Sequence, residues 1–196
     1  MRDFEILKNL LQHDRSCRRF KNEIKISCDI LEQLIDLTRF CASGRNIQPL
    51  KYRIVHTDEE NALVYPLLQW AGYLTDWDGP IGEERPAAYL IQCIDTDIAK
   101  DCLCDDGLQL QTITLGCTAL NYGTCIIKAF NAPELQKVLN IPANLIPRYV
   151  LAIGVPNEKQ VIVPMDSSLP ESYKYYRDAD SVHYVPKRPL DELIVK

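Results

Sequence analysis

The first part of the chain has two helical patterns followed by a strand pattern. Apolar and charged positions over residues 1–13 follow the period of an amphipathic helix. Ser27 is suited to cap a second helix, in which apolar residues recur at helical spacing from Ile30 to Cys41. The loop-forming residues 42–46 end that helix, and the alternation of polar and apolar side chains over Lys51–Thr57 predicts a strand.

The middle of the chain predicts a long loop and a buried strand between two further helices. Asp58 is suited to cap a helix over Asn61–Trp70. The glycines and prolines of Ala71–Pro86 predict a loop or lid, and the nearly continuous apolar run Ala87–Ile94 predicts a strand buried on both faces. Asp105–Asn121 is the longest helical segment, and its small and large residues are suited to close helix packing.

The last part of the chain predicts shorter elements. We expect a strand at Cys125–Ile127, a helix from Pro133 to Leu139 and a second buried strand at Tyr149–Val155. From Val161 onward the prolines leave little regular structure, apart from a short helix over Asp191–Val195. Because strands are interspersed among helices and no internal repeat occurs, the pattern predicts a single domain of the α+β or the mixed α/β class.

Composition limits both the class of protein and the kind of phosphate site. The 196 residues are 46% apolar and 25% charged, which is typical of one globular domain. The formal net charge of −5 makes nucleic acid a poor partner. The eight glycines form neither G-x-G-x-x-G nor G-x-x-x-x-G-K-[ST], so we expect no glycine-rich phosphate loop. Any phosphate must therefore be bound by cationic side chains.

No segment has the pattern of an export signal or a membrane span. The N-terminal residues lack the uninterrupted apolar stretch of a signal peptide, and no window approaches about 18 apolar residues. We therefore expect a cytoplasmic protein without membrane association. The eight cysteines contain no C-x-x-C spacing and the three histidines form no pair with ligand spacing, so we expect reduced thiols and no metal site.

Three short segments combine residue types that suit a phosphorylated, planar ligand. Arg15–Phe20 places guanidinium groups beside a hydroxyl, which suits a phosphate monoester. The amides of Ser43–Pro49 can match the edge of a flat heterocycle, and the small residues of Tyr122–Lys128 would let backbone N–H groups approach a planar ligand. Taken alone, each segment is more often ordinary structure: a solvated basic loop, a loop between helix and strand, or a helix stop followed by a strand.

Together and in this order, these segments resemble the nitroreductase family of FMN-dependent oxidoreductases. No single match is specific, but five of them follow one another over residues 5–195. The matching pieces are R-S-x-R-x-F at Arg15–Phe20, S-G-x-N-x-Q-P at Ser43–Pro49, the central helix and strand with Asp105 or Asp106, Gly107, Gln109 or Gln111 and Gly123–Cys125, the strand end Ile153–Pro156, and the basic segment Lys187–Leu193.

The resemblance implies a fold and an assembly. The fold would be of the α+β class, with a central mixed β-sheet flanked by helices, in a single FMN-binding domain that covers residues 1–196. Two such chains would form an intertwined homodimer with an extended C-terminal arm. Each of the two interface pockets would hold one FMN.

The resemblance also implies roles for individual residues. The residues that would bind the FMN phosphate and ribityl tail are Arg15, Ser16, Arg18, Lys187 and Arg188. Those expected to reach the flavin from the other subunit are Ser43, Gly44, Asn46 and Gln48. Those expected to lie against the flavin ring, with a backbone N–H directed towards N5, are Ile127 and Lys128.

The reaction that the resemblance implies is an exchange of hydride through the flavin. NAD(P)H would pass hydride to N5 and leave, and a nitroaromatic, quinone or similar small acceptor would then take its place in a ping-pong sequence. Because the flavin carries the redox step, we expect no catalytic acid or base from the protein. Two alternatives remain open: a flavin-dependent dehalogenase or ene-type reductase, and a flavin-binding protein without efficient turnover.

Three positions depart from the family pattern. Asp14 stands where many members have a basic residue, and Lys128 stands where glycine or an acid is common. The segment Gln69–Leu74 has no clear counterpart to the family's common flavin-edge Asn and Lys. Three aromatic side chains in or beside this loop are candidates either to roof the substrate channel or to pack on the surface of a dimer arm: Trp70, Tyr73 and Trp77.

Overall fold

The longest apolar runs of the sequence form the middle of a four-stranded sheet in a computed structural model of the protein, which describes residues 1–195. The strands are β1 (Leu50–Val55), β2 (Ala88–Asp95), β3 (Gly123–Ile127) and β4 (Leu145–Gly154), in the order β1–β2–β4–β3. All eight residues of β2 are buried, because the strand is paired on both edges and covered on both faces. All four predicted strands are present, although their ends differ by up to four residues from the predictions at Lys51–Thr57, Ala87–Ile94, Cys125–Ile127 and Tyr149–Val155.

The α+β class is confirmed, but the central sheet of this chain is antiparallel throughout rather than mixed. The helix α4 (Asp105–Ala119) carries the chain from β2 to β3, which are both antiparallel to β4 and hence parallel to each other. Since β4 inserts between them, the two parallel strands are not neighbours. Among residues 1–195, the strands pair in parallel only in a smaller, C-terminal sheet, and an isolated parallel bridge joins Ser16 to Thr124.

Helices cover both faces of the sheet. Their bounds are α1 (Arg2–His13), α2 (Cys28–Asp36), α3 (Asp58–Val64) and α5 (Ala132–Val138), besides α4. On one face α2 and α4 pack against Leu90 of β2, and on the other α3 and α5 pack against Ile91. Within residues 1–195, no helix combines the length and the apolarity needed to cross a membrane.

The third helix begins and ends earlier than the sequence pattern predicts. Thr57, and not Asp58, is the cap: its hydroxyl accepts a hydrogen bond from the Glu60 N–H at 3.2 Å. The helix ends at Val64, and a single 3₁₀ turn that contains Pro66 follows it. Because proline lacks an N–H donor, the α-helix does not continue to Trp70 as predicted.

The C-terminal region contains strands that the sequence pattern did not predict. They are β5 (Gln160–Pro164), β6 (Tyr176–Arg177) and β7 (His183–Lys187), in the order β5–β7–β6. The prediction is wrong here because prolines lie within these strands and interrupt the strand pattern. Pro164 ends β5, and Pro186 lies beyond the two-residue β6, where β7 has a neighbour on one side only. The helix predicted over Asp191–Val195 is only a 3₁₀ turn over Leu190–Glu192.

The segment 16–21 lies across the ends of β3 and β4 and connects the N-terminus to the sheet. The Cys17 N–H donates to the Thr124 carbonyl at 2.7 Å, and the Lys21 N–H donates to the Val155 carbonyl at 2.9 Å. Phe20 is fully buried and packs on Gly154. The position of this basic segment is therefore set by backbone pairing and one aromatic anchor.

The C-terminal sheet is attached to the same basic segment. Buried His183 lies 3.1 Å through Nε2 from Nη1 of Arg18, and the ring of Tyr175 lies beneath that guanidinium. Arg177 forms a salt bridge of 3.1 Å with Glu158, whose side chain is 1% exposed. Burial, together with the charges of Arg18 and Arg177, lowers the pKa of His183 to about 4.

We predict that Gly154→Ala destabilises the fold by about 1–3 kcal/mol, measured by urea unfolding. A Cβ at this position would lie 2.8 to 3.0 Å from three atoms of the fully buried Phe20. Gly107→Ala is the matched control, because a Cβ there meets nothing within 4 Å and alanine is the better helix former. Equal unfolding midpoints for Gly154→Ala and the native protein would show that this contact does not limit the fold.

We also predict that acid weakens the fold through His183. In the unfolded chain His183 becomes protonated below about pH 6.5, whereas in the folded chain it becomes protonated only near pH 4. The free energy of unfolding therefore falls as the pH falls from about 6.5 to about 4. Relative to pH 7, the loss at about pH 5 is about 2 kcal/mol. The measurement is urea unfolding of the native protein and His183→Gln at both pH values. The same loss in both proteins would contradict the assignment to His183.

Candidate functional site

A groove between α1 and the end of β7 brings together cations from the two ends of the chain. Lys8, Arg15 and Lys187 line it, with apolar side chains of α1 and β5 between them. Arg15 Nη2 donates to the Leu11 carbonyl at 2.9 Å, whereas its Nε is buried and has no hydrogen-bond partner among residues 1–195. The groove thus offers donors suited to an anionic group.

Asp14 anchors the start of this basic segment to α4. Its Oδ2 accepts hydrogen bonds from Gln111 Nε2 and from Thr114 Oγ1, each at 2.6 Å, and its backbone N–H donates to the Leu10 carbonyl. The acid that departs from the family pattern therefore fixes the end of α1. It contributes a structural link rather than a cation.

The structure brings only part of the expected phosphate set to the groove. Arg18 lies on the other side of the segment, 8% exposed, against His183. Arg188 is exposed and bonds Glu192 at 3.0 Å and Ser167 at 3.4 Å. Ser16 is exposed and forms a single bridge with Thr124 at the start of β3.

The loop that contains Ser43 to Gln48 is held at the other end of α4. Asp105 accepts from the Ser43 hydroxyl at 2.6 Å and from the Gly44 N–H at 2.9 Å, and it is 1% exposed. Nine residues of α4, about 14 Å at 1.5 Å per residue, separate Asp105 from Thr114. In this chain the loop and the cationic groove line separate cavities.

The backbone of this loop has an unusual conformation. Arg45, Asn46 and Gln48 all have positive φ angles, of 52°, 57° and 53°. Such angles are uncommon for residues other than glycine and persist where surrounding contacts hold them. Asn46 and Gln48 are exposed, and the Gln48 amide donates to the Asn46 side chain at 3.2 Å. Two amides are therefore presented together at the surface.

The end of β3 carries the remaining expected residues. Ile127 is buried, while Lys128 is exposed and folds back on β4: its Nζ donates to the Arg148 carbonyl at 3.1 Å and lies 4.2 Å above the Tyr149 ring. The Gln69 N–H donates to the Ala129 carbonyl at 3.0 Å. The loop after residue 69 therefore begins beside this strand end.

The three aromatic residues of that loop have different surroundings. Trp70 is 8% exposed and stacks on Tyr65, so it is a core residue and neither roofs a channel nor covers a surface. Tyr73 packs against Tyr175, with ring centroids 5.0 Å apart. Trp77 lies against two guanidiniums, those of Arg19 and Arg177.

Sequence reasoning missed the residues that hold the basic segment from the C-terminal side. The sequence pattern gives His183 no specific role, and it is fully buried beside Arg18. Glu158 accepts the Arg18 N–H at 2.6 Å and was not singled out. The available signal is weak: His183 lies four residues before the basic Lys187.

Comparison with known proteins identifies the family. The family model described as Nitroreductase family matches residues 12–77 and 103–155. YodC of Bacillus subtilis (strain 168), whose name places it among the NAD(P)H nitroreductases, is 22% identical over 176 residues, which are 74% of this chain and 87% of YodC.

Two solved structures have a similar fold over nearly the whole chain. A nitroreductase family protein from Streptococcus pneumoniae TIGR4 matches with a TM-score of 0.67 and 17% identity, over 97% of this chain and 99% of that one. A nitroreductase family protein from Clostridium difficile 630 matches with a TM-score of 0.64 and 19% identity, over 95% of each chain. With the family model matching more than half of its residues, the chain belongs to the nitroreductase family.

Proposed function

We propose that the protein is an FMN-dependent NAD(P)H oxidoreductase that reduces nitroaromatic, quinone or similar small acceptors in a ping-pong sequence. Family membership supports an oxidoreductase, and the relative YodC is named for NAD(P)H and nitro compounds. The observation that carries the cofactor assignment is the groove in which Arg15 and Lys187 meet. A phosphorylated cofactor explains why two distant cations share one surface.

The groove fits the phosphate of FMN. Arg15 has an unpartnered buried Nε, and Lys187 is exposed beside it in the groove. The Ser16 hydroxyl follows directly on the chain and supplies a third donor in the proposal. Arg18 and Arg188 form hydrogen bonds with protein groups in this chain. We propose that they contact the ribityl chain or the ring of the flavin, or lie at the rim of the site.

We propose that the flavin ring is completed by a second subunit. The residues of this loop lie away from the groove of their own chain, and Asp105 holds the loop in place although its backbone has positive φ angles: Ser43, Gly44, Asn46 and Gln48. A loop fixed in this way can serve the groove of a partner. In this proposal Ile127 and Lys128 lie against the flavin ring and belong to the same subunit as the Arg15 that binds the phosphate.

Exposed apolar side chains support the proposed homodimer. Helix α1 has no buried residue, although five of its twelve residues are apolar. Large exposed apolar residues of this kind mark interaction surfaces. They include Phe4, Ile6, Leu7 and Leu11 of α1, Phe40 after α2, and Leu190, Leu193, Ile194 and Val195 near the C-terminus.

We propose no catalytic acid or base among the side chains. Bound FMN would supply the redox chemistry by carrying hydride at N5 between NAD(P)H and the acceptor. The protein binds the phosphate, orients the ring and keeps cations nearby. The cytoplasmic location stays a prediction from the sequence.

We predict that the purified protein is yellow, releases FMN when it is denatured and is bleached by NADH or NADPH without oxygen. The measurements are the visible spectrum, chromatography of the released flavin and an anaerobic titration. Rapid reoxidation by a nitroaromatic or a quinone then identifies the acceptor class.

Other outcomes separate the alternatives. A colourless protein that takes up no FMN would overturn the proposal. A yellow protein that neither nicotinamide reduces would be a flavin-binding protein without this turnover. Reduction by NAD(P)H followed by transfer only to a halogenated or an activated alkene acceptor would indicate the dehalogenase or ene-type reductase.

A further inference from the structure

A cavity of about 150 Å³ lies between α3, the start of β2 and the end of the loop that precedes β2. It shares no lining residue with the groove of Arg15 and Lys187. Pockets for drug-sized molecules measure about 300–1,000 Å³, so this cavity admits only a small ligand. The polar residues that line it are Asn22, Asp58, Asn61, Tyr65, Arg85 and Tyr89.

Arg85 brings to this cavity a cation without an acidic partner. Its guanidinium carbon lies 3.9 Å from the centre of the Tyr65 ring, and its Nε is buried and has no hydrogen-bond partner among residues 1–195. The acid in the lining, Asp58, is exposed and pairs with Lys25 at 2.6 Å. Because an aromatic face orients a guanidinium without neutralising it, the charge of Arg85 remains available to an anion.

The side-chain amide of Asn61 adds an acceptor to the same cavity. Asn61 is 9% exposed, and its Nδ2 donates to the Ala87 carbonyl at 2.8 Å, which fixes the orientation of the amide. Its Oδ1 is buried and has no hydrogen-bond partner within residues 1–195. A buried acceptor without a partner is uncommon and destabilising. The Asn61 oxygen therefore favours a ligand that carries an N–H or O–H donor.

Tyr89 adds a hydroxyl that stays protonated. The residue is 1% exposed and is the second residue of β2. Burial raises the pKa of this hydroxyl, so it remains a donor at neutral pH. Arg85 and Tyr89 thus give the cavity donors suited to a carboxylate, beside the acceptor of Asn61.

We propose that this cavity binds a small hydroxycarboxylate, of the size of glycolate or lactate. Arg85 and Tyr89 donate to its carboxylate, and its hydroxyl donates to Asn61 Oδ1. A carboxylate without a hydroxyl would leave the Asn61 oxygen without a donor, and a neutral alcohol would leave the charge of Arg85 without an anion.

The charge of the lining and its place in the fold limit the proposal further. With Arg85 as the unpaired cation of its lining, the cavity suits a singly charged carboxylate better than a doubly charged phosphate. Because the cavity is separate from the cationic groove, this inference goes beyond the proposed oxidoreductase activity and does not depend on FMN.

Tyr65 connects the cavity to the loop Ala71–Pro86. Its ring lies beneath Arg85 and stacks on Trp70, with ring centroids 6.3 Å apart. Its hydroxyl donates to the Pro80 carbonyl. A ligand that draws Arg85 towards itself changes the surroundings of Tyr65, so we expect binding to alter the fluorescence of Trp70.

The test is a calorimetric titration of the full-length protein, as purified, with glycolate and with acetate, which lacks the hydroxyl. We expect glycolate to bind, and acetate to bind roughly fivefold more weakly because the hydrogen bond to Asn61 is lost. We expect Arg85→Gln to bind glycolate roughly tenfold more weakly than the native protein. Tryptophan fluorescence provides a second measurement of the same affinities.

Arg39→Gln is the matched control for the loss of a guanidinium. Arg39 is exposed, pairs with Asp36 at 2.8 Å and does not line the cavity, so this variant should keep the native affinity for glycolate. Should Arg85→Gln fail to fold, Tyr89→Phe makes the comparison, because it removes only the hydroxyl. We expect Tyr89→Phe to bind glycolate roughly tenfold more weakly.

Four results would overturn this inference. They are a native protein that binds no glycolate, native affinity in Arg85→Gln or in Tyr89→Phe, acetate binding as tightly as glycolate, and inorganic phosphate binding more tightly than glycolate. Release of FMN by glycolate would also overturn it, because the anion would then occupy the cationic groove. Failure of the protein to bind FMN would overturn the proposed function alone.

Discussion

The position of residues 16–20 across the ends of β3 and β4 is the constraint on which the rest of the site depends. The hydrogen bond from Cys17 to Thr124 sets the register, and Phe20 fills the space that the missing side chain of Gly154 leaves. Because the segment is extended, its successive side chains point to opposite sides. Arg15 therefore reaches the groove with Lys187, while Arg18 turns inward to the C-terminal sheet.

Two carboxylates also fix the position of this segment. Asp14 ties the end of α1 to Gln111 and Thr114 of α4, and Glu158 receives the Arg18 backbone. Asp14 bonds neutral donors of the scaffold, whereas Glu158 also forms a salt bridge with Arg177. Arg19 pairs with Glu84, but among residues 1–195 neither Arg15 nor Lys187 forms a salt bridge, and cations without acidic partners favour an anionic ligand.

The sequence predicted the elements whose signal is local. The apolar runs of β2 and β4 and the long α4 are clear because burial on both faces leaves a continuous pattern. The C-terminal strands were missed because β6 has two residues and prolines interrupt the pattern. Likewise Arg15 and Lys187 were found by motif, but the pairing of Arg18 with His183 spans 165 positions and has no local signal.

The preference of the protein for FMN over riboflavin tests the central claim most directly, because the two ligands differ only in the phosphate. Arg15→Ala/Lys187→Ala is compared with Lys25→Ala/Lys137→Ala, which removes the same charge from exposed positions elsewhere. The account predicts that the native protein and the control bind FMN at least roughly tenfold more tightly than riboflavin, and that the groove variant loses this preference. An unchanged preference in the groove variant would contradict it.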